Sequence, residues 1–319
     1  MGYKTQFMNP TQPARPILYQ EPVTPLQPVY HTIENYYEIA GPDYETWSPH
    51  FNMHFGYCRR FRDIFSLEGM LQQMNVKVLE ELQIDPKQPS LIADLGCGMA
   101  TVARYVATKL PLSHLVAITI VEKHLEMAKE LNNAAGLQNR VTVCRDNFED
   151  LHLPGGTFSH AYAIESACHA ASPGKKKFIS ELARILKPSG RFCIADGFLK
   201  SNKPPTGLFK WLYHKMTGYW AVPGFAYINE FRQKLEAEGL TNIKVKEISY
   251  RIAPSVAYVP LICLKFFIKE LWKNKSLRMK KERWHNVYAP LLGMLVGLFR
   301  KKFGYFIITG EKPNIPRLR

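Results

Sequence analysis

Through the middle of the chain, short apolar runs alternate with stretches of helical period. Strands are expected at Ser90–Asp94, His114–Ile120, Val141–Arg145, Phe158–Ile164 and Arg191–Asp196. Helices are expected at Ala100–Lys109, at Glu122–Ala135 with Gly136 as its stop, and at Lys175–Leu186 before Pro188-Ser189-Gly190. Strands separated by helices of this length predict βαβ units and a parallel sheet. Ligands of such sheets bind at the carboxyl ends of the strands, where Asp94, Thr119, Asp146 and Glu165 fall.

The flanks follow other patterns. Residues 1–28 hold six prolines and read as an extended arm without a core. Residues 29–89 read as a helical cap, with Ile33, Tyr36 and Tyr37 on one helix, Phe65 to Leu82 on another, and the aromatic stretch Trp47–Tyr57 between them. After the core (90–200) comes a covering region, 201–319. It holds an aromatic stretch at Phe209–Tyr227, a helix at Ile228–Glu238, a strand at Ile243–Ile252, basic apolar helices over 254–302 and a last strand at Tyr305–Gly310.

With 319 residues, 46% of them hydrophobic, the chain can bury a full core. The six cysteines are scattered without a C-x-x-C pair or metal-ligand spacing, which predicts a reduced, cytoplasmic setting and no metal. No secretory signal pattern opens the sequence. The apolar runs Val256–Ile268 and Ala289–Phe299 are short or broken by Pro260 and Lys265, so the expectation is a protein in solution or on a membrane surface. Net charge is +15, and residues 251–319 carry 15 Lys/Arg against three Glu, a net of +12. Such a block attracts phosphate, whether of a lipid surface, a diphosphate ester or nucleic acid.

The chemistry centres on the loop after the first strand, Ala93-Asp94-Leu95-Gly96-Cys97-Gly98. Glycine there permits positive φ and close approach of a ligand to the backbone. A dinucleotide fingerprint would need a third glycine where Thr101 stands, so that pattern fails. Asp94 at the strand tip suits a cationic ammonium or sulfonium better than a pyrophosphate. The D-x-G-x-G pattern resembles class I S-adenosylmethionine-dependent methyltransferases, with Ala100 in place of a further glycine. That resemblance implies a Rossmann-like, doubly wound, mostly parallel seven-stranded sheet with a helical cap and lid. It also implies S-adenosylmethionine held by Asp94, Gly96, Cys97 and Gly98. Ile118-Thr119-Ile120 resembles the subgroup of tocopherol, sterol and cyclopropane-type lipid methyltransferases, so Thr119, Ile120 and His124 are expected along the cofactor, with Glu122 as a substitute for a ribose acid or a solvated helix-start residue. Asp146, Asn147 and Phe148 match the adenine end, although Asp146 also suits a plain turn.

Ala163-Ile164-Glu165-Ser166-Ala167-Cys168-His169-Ala170 resembles the acidic signature of sterol side-chain methyltransferases. A carboxylate at Glu165 can stabilise a cation formed on an alkene and take its proton. His169 joins it as a catalytic candidate or is a structural histidine; metal ligation with neighbouring Cys168 is disfavoured, because adjacent positions rarely converge on one ion. Tyr36-Tyr37 and Met53–Tyr57 resemble the subgroup's closing cap, which makes Tyr36 a catalytic candidate and Tyr37, His54 and Tyr57 acceptor-pocket candidates. Trp211, Tyr219 and Trp220 either line an apolar pocket or pack within the cover. The expected activity is carbon methylation of an apolar isoprenoid or sterol-like acceptor, with Lys280, Lys281 and Arg283 gripping a diphosphate if the acceptor carries one. The alternatives are oxygen or nitrogen methylation of a small phenol or amine, and a non-catalytic cofactor- or lipid-binding module. The basic C-terminal block is expected to touch a membrane; with no zinc module, Asn-Pro-Pro-Tyr pocket or basic-aromatic motif, nucleic acid is not an expected partner.

Overall fold

The computed structural model describes residues 28–201 and 203–314. The arm expected over 1–28 therefore lies outside the described residues, apart from Pro28. Helix α1 (Pro28–Ala40) starts there and runs into a 3-10 segment, Gly41–Thr46. Helix α2 (Leu67–Leu82) begins at Ser66, whose hydroxyl accepts from the Gly69 amide. Then come β1 (Ser90–Leu95), α3 (Thr101–Lys109), β2 (Ser113–Thr119), α4 (Glu122–Ala134), β3 (Val141–Arg145), β4 (Phe158–Ile164), α5 (Lys176–Ile185) and β5 (Leu186–Leu199). The chain ends with α6 (Gly207–Tyr219), α7 (Ile228–Ala237), β6 (Thr241–Glu247), α8 (Ser249–Val256), α9 (Val259–Asn274), α10 (Lys281–Leu298) and β7 (Phe303–Glu311).

The seven strands form one sheet in the order β3-β2-β1-β4-β5-β7-β6. The first five run parallel, and β7 is antiparallel to both neighbours. Successive residues of β1 face opposite layers. Ile92 packs with Met74, Val78 and Val106 of α2 and α3, while Ala93 joins Phe178, Ile179 and Phe231 of α5 and α7. This is the doubly wound α/β fold the alternation predicted.

Three expectations change. Helix α2 is a core helix rather than part of a cap, because its Met70, Leu71, Met74 and Leu82 are fully buried and part of that face lies against the sheet. The strand expected over Ile243–Ile252 ends at Glu247. Ile248 and Ile252 are both buried and four apart, which is helical spacing, and the Ser249 hydroxyl turns the chain by accepting from the Tyr305 amide. Pro260 does not interrupt the apolar run, since it sits in the first turn of α9 where its missing N–H has no partner to lose. The stretch Ser249–Asn274, α8 and α9 with the turn between them, thus spans 26 residues with a mean hydropathy of 1.6 in its most apolar window, enough by length and composition alone to cross a bilayer.

A third apolar cluster joins Phe209, Leu212 and Met216 of α6 to Val296 of α10. The helices between β6 and β7 are thereby fastened over the carboxyl edge of the sheet, facing α1.

Candidate active site

Two spaces meet at the carboxyl edge. The smaller, about 100 Å³, lies over the β1 loop and the tip of β2. The larger, about 530 Å³, is walled chiefly by apolar side chains of α8, α9 and α10, with Trp220 and Tyr305. Tyr37, Met53, His54, Glu165 and His169 line both and form the junction.

In the smaller space the β1 loop is as tight as its glycines suggest. Gly96 has φ of +85°, and a β carbon there would collide with Ser166. The Gly96 and Cys97 amides both donate to the Ile118 carbonyl, at 3.0 and 2.8 Å, so the loop offers the cleft room beside its backbone rather than these N–H groups. Asp94 is buried, with Tyr162 donating to it at 2.8 Å, and loss of water raises its pKa to about 7. Thr119, Ile120, His124, Asn147 and Phe148 line the same space as expected. Burial holds His124 neutral, with its pKa pushed down to about 3.

Asp146 is placed otherwise. Its carboxylate accepts from the Asn147 amide at 2.8 Å and the His152 amide at 2.9 Å, and it does not line the cleft. It shapes the turn that presents Asn147 and Phe148, the plainer of its two sequence readings. Glu122 pairs with Arg145 at 2.9 Å outside the cleft.

At the junction Glu165 follows β4 in a left-handed conformation, φ +49°. Such a backbone in a non-glycine residue costs of order 1–3 kcal/mol and persists where its surroundings hold it. Here Glu165 N donates to Ala195 O at 2.8 Å, and its Oε1 accepts from the Phe55 amide at 2.7 Å and the Tyr305 hydroxyl at 2.8 Å. Among the described residues no hydrogen bond reaches Oε2. Burial, assisted by nearby Asp196, raises the Glu165 pKa to about 8 against the opposing effect of those bonds. Asp196, inside β5 and one residue past its last pairing with β4, is likewise raised to about 6 by burial. His169 Nε2 lies 3.0 Å from the Tyr37 hydroxyl, and burial lowers its pKa to about 4. Lys175, itself buried, holds the loop by donating to the Cys168 and Ala170 carbonyls at 2.7 and 2.6 Å.

Three desolvated carboxylates, Asp94, Glu165 and Asp196, therefore stand on the adjacent strands β1, β4 and β5 or just beyond them, near the level where β4 ends. Each is pushed toward its neutral form by loss of water, in Asp196 against the opposing charge of Lys175, so a cation placed among them would be favoured.

Helix α1 closes the top. Tyr30 hydrogen-bonds Glu149, Glu34 pairs with Arg145, and Glu38 accepts from the Lys123 amide at 3.1 Å, tying α1 to the cofactor half. On the other side Arg283 of α10 donates to both oxygens of Asp43, each at 2.8 Å, and to Glu270 at 2.7 and 2.9 Å. Arg283 is therefore a clasp between cap and lid and is not free for a diphosphate.

Several aromatic candidates fall away from the cavity. Tyr36 is buried with its hydroxyl on Asn286 at 2.9 Å, so it braces α1 against α10 without lining either space. Tyr57 is packed in the core, Trp211 is 56% exposed, and Tyr219 stacks on His285 with ring centroids 4.5 Å apart. Trp220 does line the large cavity, where Gly293 makes room for it: a β carbon there would lie 3.0 Å from Trp220 Cη2. Sequence reading missed Tyr305, Tyr44 and Asp196 on the wall. Tyr305 is 140 residues from the carboxylate it contacts, and no local pattern marks it.

A family model described as a methyltransferase domain matches residues 92–190. "Methyltransferase phqN" of Penicillium fellutanum is 33% identical over 117 residues, 37% of this chain and 35% of that protein, so the chain spans about a third of that relative's length. Tocopherol O-methyltransferase of Arabidopsis thaliana is 24% identical over 295 residues, covering 88% of this chain and 81% of that one. The crystal structure of geranyl diphosphate C-methyltransferase from Streptomyces coelicolor, solved with Mg2+, geranyl diphosphate and S-adenosyl-L-homocysteine, shares the fold. Its TM-score is 0.67 at 12% identity, over 91% of this chain and 99% of that one.

Proposed function

We propose that this chain, a class I S-adenosylmethionine-dependent methyltransferase, methylates a carbon atom of an apolar acceptor of isoprenoid or sterol-like character. The observation that carries the reading is the junction itself: one buried carboxylate, Glu165, stands where the small acidic cleft opens into a cavity of about 530 Å³. The solved neighbour with geranyl diphosphate supports attachment to carbon of an isoprenoid.

The residues present fit S-adenosylmethionine. Asp94 is a buried carboxylate in want of a cation, Gly96 and Gly98 line the cleft as bare backbone on either side of Cys97, and Asn147 and Phe148 line it as well. When bound, the cofactor supplies an electrophilic methyl group and a positive charge beside Glu165. A positive charge near Glu165 would favour its ionised form, against the burial that raises its pKa to about 8. An acceptor double bond whose electron pair formed the new carbon–methyl bond, with the methyl–sulfur bond breaking and neutral S-adenosylhomocysteine leaving, would carry a cation on its neighbouring carbon. The carboxylate stabilises that cation and accepts the proton lost from the adjacent position at Oε2. Phe55 N–H and Tyr305 O–H keep Oε1 fixed while this occurs. Cap and lid, clasped through Arg283, exclude water and align the partners.

The cavity wall favours an acceptor without a diphosphate. Among the described residues its one Lys or Arg is Arg300, which is bonded to Glu247 at 2.7 Å. Six free cysteines support a reducing compartment such as the cytoplasm.

A second reading, oxygen or nitrogen methylation, draws on the Tyr37–His169 contact at 3.0 Å: a neutral imidazole there could take the proton of a phenol or ammonium. Products made with a 13C-labelled methyl donor separate the two. A methyl carbon resonance in the aliphatic region supports carbon attachment, and one in the methoxy or N-methyl region overturns it.

A further inference from the structure

Helix α9 is apolar on two opposite sides. Val259, Ile262, Cys263 and Phe266 wall the large cavity, while Leu261, Leu264, Ile268, Leu271 and Trp272 form an outward stripe at helical spacing, Trp272 being 89% exposed. A surface helix ordinarily turns a polar face outward. An exposed apolar stripe of this length, rimmed by charge, marks a surface that something else covers.

Two features identify what covers it. The first is a shared helix: α9 walls the cavity with one side and carries the stripe on the other, while Tyr250 of α8 and Leu298 of α10 line the same cavity yet are 78% and 74% exposed, so the apolar lining reaches the surface at their rim. The second is charge. Exposed Lys265, Lys273 and Lys275 edge the stripe, within a segment of net charge +12. A second copy would bring like charges together, whereas anionic lipid headgroups complement them.

We propose that the outer face of α8–α9 docks on an anionic phospholipid bilayer, so that an apolar acceptor passes from the membrane into the cavity between Tyr250 and Leu298. The helix lies in the interface and does not span it, because its inner side is committed to the cavity wall. This builds on the apolar-acceptor reading, but its test needs neither acceptor nor cofactor.

The full chain is floated with vesicles of phosphatidylcholine, with and without phosphatidylglycerol. Binding should be stronger to the anionic vesicles by about tenfold or more and weaken with salt. The combined substitutions Leu264→Ser, Ile268→Ser and Trp272→Ser should reduce vesicle partition by about tenfold or more. Lys265→Glu with Lys273→Glu should remove the preference for phosphatidylglycerol. All of these side chains face solvent, so the melting temperature should stay at the parental value. Quenching of parental tryptophan emission by brominated lipid, diminished in Trp272→Phe, reports contact without relying on the multiple variant. Failure of the parent to float, equal flotation of the Ser variant, or conversion of a dimer to a monomer by that variant with flotation unchanged would each overturn the proposal.

Discussion

The two halves of this site are built in opposite ways. The cofactor half is contiguous in sequence: Asp94, the glycine turn, Thr119, Asn147 and Glu165 all sit at or just beyond the tips of β1 to β4, within the segment that matches the methyltransferase domain. The acceptor half is assembled from both ends of the chain, with α1 and the Trp47–Phe55 stretch on one side and α8 to α10 on the other. The first is small and acidic; the second is large and apolar. The division teaches that the methyl-donating chemistry is fixed by a continuous local pattern, whereas acceptor choice depends on tertiary packing.

Perturbations should respect that division. Glu165→Gln, at the junction, is expected to lower kcat by about 10²–10⁴-fold while cofactor affinity measured by calorimetry stays within a few-fold; an equal loss of cofactor binding would erase the distinction. Asp94→Asn should do the reverse, weakening cofactor binding by about 30-fold or more, since it removes a buried carboxylate facing a cation. In the parent, cofactor affinity should fall as pH drops below about 7, where Asp94 takes up a proton, and this dependence should flatten in the Asn variant.

Smaller effects probe the seam. Tyr305→Phe removes a hydrogen bond that favours the ionised form of Glu165, so the rising limb of kcat/KM against pH should move upward, with a loss of about tenfold in rate at neutral pH. Arg283→Ala opens the clasp on Asp43 and Glu270 and should raise the acceptor KM several-fold, roughly five- to tenfold, with cofactor affinity little changed. Stability gives the mildest readout. The Glu165 pKa is raised on folding, so its stabilising contribution is full below about pH 4.5 and is lost as pH rises through about 8. The melting temperature of Glu165→Gln relative to the parent should therefore increase across that window.

The same division explains what could be read in advance. β3 and β4 match their expected limits residue for residue, because short segments rich in apolar and β-branched or aromatic residues are bounded there by turn residues. The glycine turn and the acid after β4 were equally plain, being local. Asp146 carries two readings because an aspartate that organises a turn and one that meets a ligand look alike in sequence, and its bonds to the Asn147 and His152 amides are those of the turn. Resemblance to a closing cap makes Tyr36 a catalytic and Tyr57 a pocket candidate, and aromatic character does the same for Trp211 and Tyr219, yet burial against α10, core packing, solvent and His285 claim them. Arg283 looked like a free cation until Asp43, 240 residues away, came beside it.

The antiparallel placement of β7 has a practical corollary. Glu247, just before the helical insertion, lies opposite Phe306, just after it, in adjacent strands. The whole of 249–302 hangs from the sheet as a loop with neighbouring ends, so its exchange with the equivalent piece of another enzyme asks little of the remaining backbone. A library of such grafts on one unchanged donor half would be a direct route to new acceptor preferences.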